Sequence, residues 1–144
     1  MDSMKRLLLP VLLLGVLGLG AGCTSPAPLA GLSLELVALD RTPDGGATAT
    51  VRVVNPNLVA YNLLRTTHRV FLDGRHVGTL KYDLPTGVPA QNTAEQQGRL
   101  ELERGAVLSA GTTAYRLESR IVLTLWGDRT EESKLSAIGT VTVR

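Results

Sequence analysis

From Leu32 onward, apolar and polar residues alternate with a period of two, the repeat of a strand that buries one face. Leu32, Leu34 and Leu36 alternate with Ser33 and Glu35. Ala47, Ala49, Val51 and Val53 alternate with Thr48, Thr50 and Arg52, and Leu100 and Leu102 with Arg99, Glu101 and Glu103. Tyr115, Leu117, Ile121, Leu123 and Leu125 share one parity against Arg116, Glu118, Arg120 and Thr124. Leu135, Ala137, Val141 and Val143 repeat the pattern at the end. The breaks carry turn chemistry: Thr42-Pro43-Asp44-Gly45-Gly46, Asn55-Pro56-Asn57, Asp73-Gly74, Leu84-Pro85-Thr86-Gly87 and Gly127-Asp128. The spacing predicts about seven strands, at 32–41, 47–55, 63–72, 75–83, 93–103, 114–126 and 131–143. Segment 104–113 is expected to form a loop or a short helical turn. Seven short alternating strands imply an all-β fold, a seven-stranded antiparallel β-sandwich of immunoglobulin or fibronectin III shape.

The beginning of the chain breaks this pattern. Met1–Arg6 carries Lys5 and Arg6, and Leu7–Gly22 is an uncharged run of 16 residues rich in Leu, Val and Gly. A basic segment followed by an apolar run is the pattern of an export signal. As a helix, 16 residues rise ~24 Å, short of the ~30 Å hydrocarbon core, and Pro10 and four glycines weaken that helix further. Residues 1–22 are therefore expected to be a signal peptide that is removed.

The run ends Leu19-Gly20-Ala21-Gly22-Cys23, which resembles the lipobox of bacterial lipoproteins, small residues directly before an obligatory cysteine. The large aliphatic residue of that motif stands one place early, at Leu19. The resemblance implies a diacylglycerol thioether on Cys23 and cleavage just before it. Two or more acyl chains hold a protein on a bilayer, whereas one is marginal. Residues 23–31 then read as the lipidated cysteine and a tether, with Pro26 and Pro28 favouring extended backbone. Residues 32–144 are the β-domain. Thr24 stands where Asp would favour inner-membrane retention, so the expected address is the cell envelope, at the periplasmic face of the outer membrane in a diderm host.

Composition narrows the function. Cys23 is the single cysteine, which excludes an intramolecular disulfide and argues against a thiolate zinc site. The formal charge is +2, and half of it comes from Lys5 and Arg6 against Asp2. A mature part so close to neutral gives no electrostatic case for nucleic acid, and its five scattered aromatic rings make a poor base-stacking platform.

The stretch Ala49–Asn57, ending Asn55-Pro56-Asn57, resembles the signature of the late-embryogenesis-abundant (LEA) type 2 family, also called the water stress and hypersensitive response domain. That family places a short hydrophobic loop after the triplet, here Leu58–Tyr61. A hairpin follows, here around Asp73-Gly74, then a Pro-Ala segment, here Val88-Pro89-Ala90. The match covers about residues 31–103. The resemblance implies a fibronectin-like sandwich, an association with desiccation and stress, and no catalysis. Physically, Asn55 and Asn57 suit local backbone bonding and Pro56 fixes its own φ, so the triplet is expected to be structural.

Catalytic patterns are absent from the sequence. No Gly-x-Ser-x-Gly elbow and no phosphate-binding Gly-rich loop occurs. His68 and His76 lie on the hairpin. A two-residue Asp73-Gly74 turn pairs Leu72 with Arg75 and His68 with Thr79. It sets His68 beside Val70, Leu72 and Val77 at the core edge, with His76 on the other face in solvent. A three-residue turn with a bulge at Gly74 would bring the two to one face; gathering the apolar residues together favours the first register. Glu101, Glu103 and Glu118 alternate with Arg99, Arg116 and Arg120 as a solvated, ion-paired face. Phe71, Val122 and Trp126 fall on otherwise polar faces and are the candidates for a contact patch. The expected protein is a non-enzymatic, membrane-tethered stress lipoprotein without cofactor or metal, acting on envelope proteins or lipids. The alternative is an interaction module of an envelope complex.

Overall fold

The structure is a computed structural model that describes residues 31–124 and 128–144. The signal segment 1–22, Leu19–Gly22, Cys23 and Trp126 lie outside the described residues. Eight strands make up the fold: β1 (Ser33–Arg41), β2 (Ala47–Asn55), β3 (Tyr61–Leu72), β4 (Arg75–Tyr82), β5 (Thr86–Val88), β6 (Asn92–Leu102), β7 (Gly111–Thr124) and β8 (Thr130–Val143). Their order is β4-β6-β2-β1-β8-β7-β3-β5, and β4 also pairs with β3.

That extra pairing changes the expected architecture. An immunoglobulin-like sandwich keeps its two sheets apart, with open edges. Here seven strands, all but β5, form a hydrogen-bonded ring, so the all-β sheet closes on itself as a barrel. Both closing joins are short. Between β4 and β6 only Gly78–Leu80 pair, with Leu100–Leu102. A Cβ on Gly78 would lie 2.7 Å from the Glu101 carbonyl oxygen, so the absence of a side chain permits this approach. Between β1 and β8 the single ladder pair is Leu39 with Val143, and it is parallel, so the sheet is not wholly antiparallel. The Arg41 N–H donates to the Arg144 carbonyl at 2.8 Å, and the Arg144 N–H to the Leu39 carbonyl at 3.1 Å.

The strands follow the alternation in the sequence. Leu36, Leu39, Val51, Val53, Leu63, Leu100, Leu117, Ile121 and Leu123 are buried in one core. Burying each such side chain contributes about 1.5–3 kcal/mol before the entropy of ordering it is charged. β5 is the strand missing from the sequence reading. Its three residues pair with Tyr61–Leu63 of β3, directly beyond the turn that follows β4. Segment 103–110 is a loop, and the strand after it starts at Gly111, three residues before the expected position.

The β3–β4 hairpin starts in the expected register, Leu72 opposite Arg75 and Phe71 opposite His76. A bulge at Val77 then shifts the ladder, so Val70 faces Gly78 and His68 faces Leu80, not Thr79. The shift brings Leu80 inward in place of Thr79, and His76 is half-buried beside the Phe71 ring rather than in solvent. Strand directions sort the connections into two ends. Gly31, the Asn55–Ala60 loop and the 83–91 segment lie at one end. The 42–46 and 73–74 turns, the 103–110 loop and Arg144 lie at the other.

Candidate functional site

Asn55 closes β2 and is 1% exposed. Its side-chain amide donates to the carbonyls of Val59 at 2.8 Å, Pro89 at 3.0 Å and Val88 at 3.3 Å. Its carbonyl oxygen accepts from the Asn57 backbone N–H at 3.0 Å and side-chain amide at 3.1 Å. One buried amide thus ties the 56–60 loop to the β5–β6 connection. The Gln91 N–H adds a bond to the Asn57 carbonyl at 2.9 Å. Pro56 lies on the exposed side of this junction, 3.8 Å from where a Gly31 side chain would begin. Leu58, between the tied points, is 81% exposed.

A second polar cluster lies inside the barrel. Thr66, His68 and Gln96 are 0% exposed and Ser119 is 4% exposed. With the Gln96 carbonyl facing the ring, the hydrogen bonds run in one direction. Ser119 Oγ donates to His68 Nδ1 at 2.8 Å, and His68 Nε2 donates to Gln96 Oε1 at 3.2 Å. Thr66 Oγ1 donates to the same Oε1 at 2.8 Å, and Gln96 Nε2 donates to Thr86 Oγ1 at 3.1 Å. The interior favours the neutral imidazole, and in that form the amide oxygen places its proton on Nε2. Burial pushes the His68 pKa below 6.5, and the hydrogen bond to Gln96 opposes that shift. Every buried polar side-chain atom among the described residues has a partner.

The network contains a hydroxyl–imidazole pair, but not the arrangement of a nucleophilic triad. The nitrogen away from Ser119 faces an amide instead of a carboxylate, and the serine is enclosed by the sheet. Among the described residues, no three His, Cys, Asp or Glu side chains converge as a metal site. His68 was legible as an inward residue, but its partners were not. The available signal was a gap in a pattern: Ser119 sits on the inward parity of Tyr115, Leu117, Ile121 and Leu123.

Of the contact-patch candidates, the two among the described residues, Phe71 and Val122, do not adjoin each other. Phe71 faces outward yet is 7% exposed. The Arg116 guanidinium lies 3.9 Å from its ring centroid, the Arg69 guanidinium 5.0 Å, and the His76 ring 5.0 Å. Val122 is on the same face but pairs across from Arg65, six positions along β3 from Phe71. The strands around them carry ion pairs, including Arg69–Glu118 at 2.8 Å, Lys81–Glu101 at 2.7 Å and Arg52 with both Glu35 and Glu95. At the 42–46 turn, the Thr42 hydroxyl, the Gly46 N–H and Arg99 all bond Asp44. Together they lower its pKa from 3.8 to about 2, with Thr42 contributing most.

No family model matches the chain, and no curated protein matches it. Solved structures do show similarity. A protein from Archaeoglobus fulgidus is 13% identical, with 78% of this chain and 95% of that one aligned and a TM-score of 0.42. An Arabidopsis thaliana protein is 15% identical over 78% of this chain and 79% of its own, with a TM-score of 0.47. A protein described as late embryogenesis abundant is 12% identical over 79% of this chain and 72% of its own, with a TM-score of 0.50. At that identity, the likeness to the LEA protein is one of fold.

Proposed function

We propose that this chain is a lipid-anchored, non-enzymatic lipoprotein of the cell envelope. Its β-domain belongs with the LEA type 2, water-stress domains and protects envelope proteins or lipids during desiccation or osmotic stress. The observation that carries this reading is the joining of two features in one chain. An export-type leader ends at Cys23, and a few residues later an all-β head begins whose fold is shared with a LEA protein. The Asn55-Pro56-Asn57 junction, the hairpin and the Val88-Pro89-Ala90 segment supply the pieces of the family pattern in order. The enclosed His68–Ser119 pair supports a role without catalysis. In a diderm host the head sits at the periplasmic face of the outer membrane. Within the all-β class, the finer relationship to fibronectin III rests on the family resemblance.

Intact-mass analysis of the protein from cell membranes tests the anchor. Loss of residues 1–22 with a diacylglyceryl adduct on Cys23 is expected; the leader still attached and a bare thiol would overturn it. For the stress role, a deletion strain should survive drying or osmotic shock poorly, and unchanged survival removes that half of the proposal. One observation favours a second reading, an interaction module of an envelope complex. Among the described residues, β1 lies beside only the C-terminal part of β8, with one ladder pair at Val143, so the Thr130 end of β8 has no ladder partner on that side and could take an added strand. Crosslinking in cells distinguishes the two: one stoichiometric partner supports the module, and diffuse contacts support the protective role.

A further inference from the structure

On the outer face of the barrel, β3, β7 and β8 lie side by side, and their registers set residues in rows. Thr67 pairs with Arg120, and Arg120 with Lys134. The next row is Arg69, Glu118 and Ser136. Directly opposite residues stand about 5 Å apart, and like charges in such positions repel. The Arg120–Lys134 pair therefore repels, and a negative group between the two side chains would relieve it.

The neighbouring carboxylates do not fill that role. Glu118 is held by Arg69 on one side and by Arg116 on the other. Glu132 bonds Arg120 Nε at 3.2 Å, leaving the rest of that guanidinium free. Among the described residues Lys134 makes no ion pair. These side chains line an open depression of about 580 Å³ that holds three cations, Arg69, Arg120 and Lys134, against one carboxylate, Glu118. Thr67 and Ser136 bring hydroxyl donors to the same depression.

The geometry points to an oxyanion site here for the phosphate group of a phosphorylated ligand, gripped between Arg120 and Lys134 with Thr67 and Ser136 at its sides. A phosphate matches this donor set better than a carboxylate does. Its tetrahedral oxygens accept from donors on three neighbouring strands at once, and its charge meets Lys134 together with the part of the Arg120 guanidinium that Glu132 does not hold. The site does not depend on the lipid anchor, so the two proposals fail separately. The same phosphate chemistry occurs in a soluble phosphomonoester and in a lipid headgroup.

Amine acylation read by peptide mass spectrometry tests the site on the full chain in detergent, because Lys81 serves as an internal control. Lys81 is ion-paired to Glu101 on β4, outside the depression. Inorganic phosphate or glycerol 3-phosphate should slow labelling of Lys134 several-fold relative to chloride at equal ionic strength, with Lys81 unchanged. Arg120→Gln should abolish the protection while the protein melts as a folded chain. If only vesicles containing phosphatidylglycerol protect, and phosphatidylcholine vesicles and soluble phosphates do not, the ligand is a lipid headgroup. Equal protection by chloride, or equal protection of Lys81, would overturn the site.

Discussion

The Tyr115 hydroxyl accepts the backbone N–H of Leu36 at 3.2 Å, across the seam between β7–β8 and β1. Tyr115 pairs with Gly139 on β8, and its ring lies over that glycine. Leu36 stays paired with Val51 of β2, but on the β8 side β1 has a single ladder pair, Leu39 with Val143, so the sheet offers the Leu36 N–H no ladder acceptor there. The tyrosine supplies one from two strands away, and the ring holds together a join that has one ladder pair of its own.

Tyr115→Phe should therefore destabilise the fold by about 1–3 kcal/mol, because it leaves a buried N–H without an acceptor. Gly139→Ala should act on the same seam by a different route. Its new Cβ would meet the Tyr115 ring at 2.9 Å, and overpacking of this kind costs about 1–3 kcal/mol. Urea unfolding of both single variants and the double variant checks this. Additive effects would show that the two positions do not share one contact.

Strand positions were legible because the chain buries one face of each strand, which writes period two into the sequence. β2 coincides with its expected bounds, and the other long strands shift by one to three residues at their ends. β5 escaped notice because three residues are too few to show a period, and Leu84-Pro85-Thr86-Gly87 does turn the chain before it pairs. Ring closure escaped for a different reason. It depends on a missing side chain at Gly78 and on the reach of Tyr115, and neither produces a repeat. Phe71 falls on an outward strand position, and what covers it comes from distant positions: Arg116 on β7 and His76 beyond the turn.

Asn55→Ala should loosen one end of the barrel more than its core. The substitution leaves three carbonyls and the Asn57 N–H without their partner. A cost of about 1–3 kcal/mol follows. Asn55→Asp should cost more at neutral pH, since it aims a carboxylate at the same carbonyls. Amide hydrogen exchange should speed up at Asn57 and Gln91 before it does in β7. Uniform acceleration across the fold would contradict a local tie.

Asp44 sets an acid limb to stability. Its folded pKa of about 2 lies below the ordinary 3.8, so the folded state holds the ionised form more tightly than the unfolded chain does. The stabilisation is present above 3.8 and disappears as pH falls towards 2. Asp44→Asn should flatten the loss of stability in that window and leave the neutral-pH slope unchanged. An unaltered acid limb in the variant would show that the Thr42 and Arg99 contacts do not hold the carboxylate in solution.

His68 sets a second limb near neutrality. The unfolded chain takes up a proton near 6.5, whereas the buried imidazole resists it. Above that pH both states are neutral and the full stability is present. As pH falls below 6.5 the unfolded state binds a proton that the folded state does not, so stability falls by up to about 1.4 kcal/mol per pH unit. The fall continues until the depressed folded pKa is reached. Protonation there would place a second N–H where Nδ1 accepts from Ser119 and would charge an interior with no carboxylate in the network. Urea unfolding from pH 8 to 5 should show this slope, and His68→Leu should remove it even though the variant starts from lower stability. An NMR titration of the folded protein should find that the His68 ring, with its proton on Nε2, takes up a second proton only below pH 6.5. A ring that titrates at or above that value would mean that water reaches the barrel interior, and the enclosed pair would then have to be reconsidered as accessible chemistry.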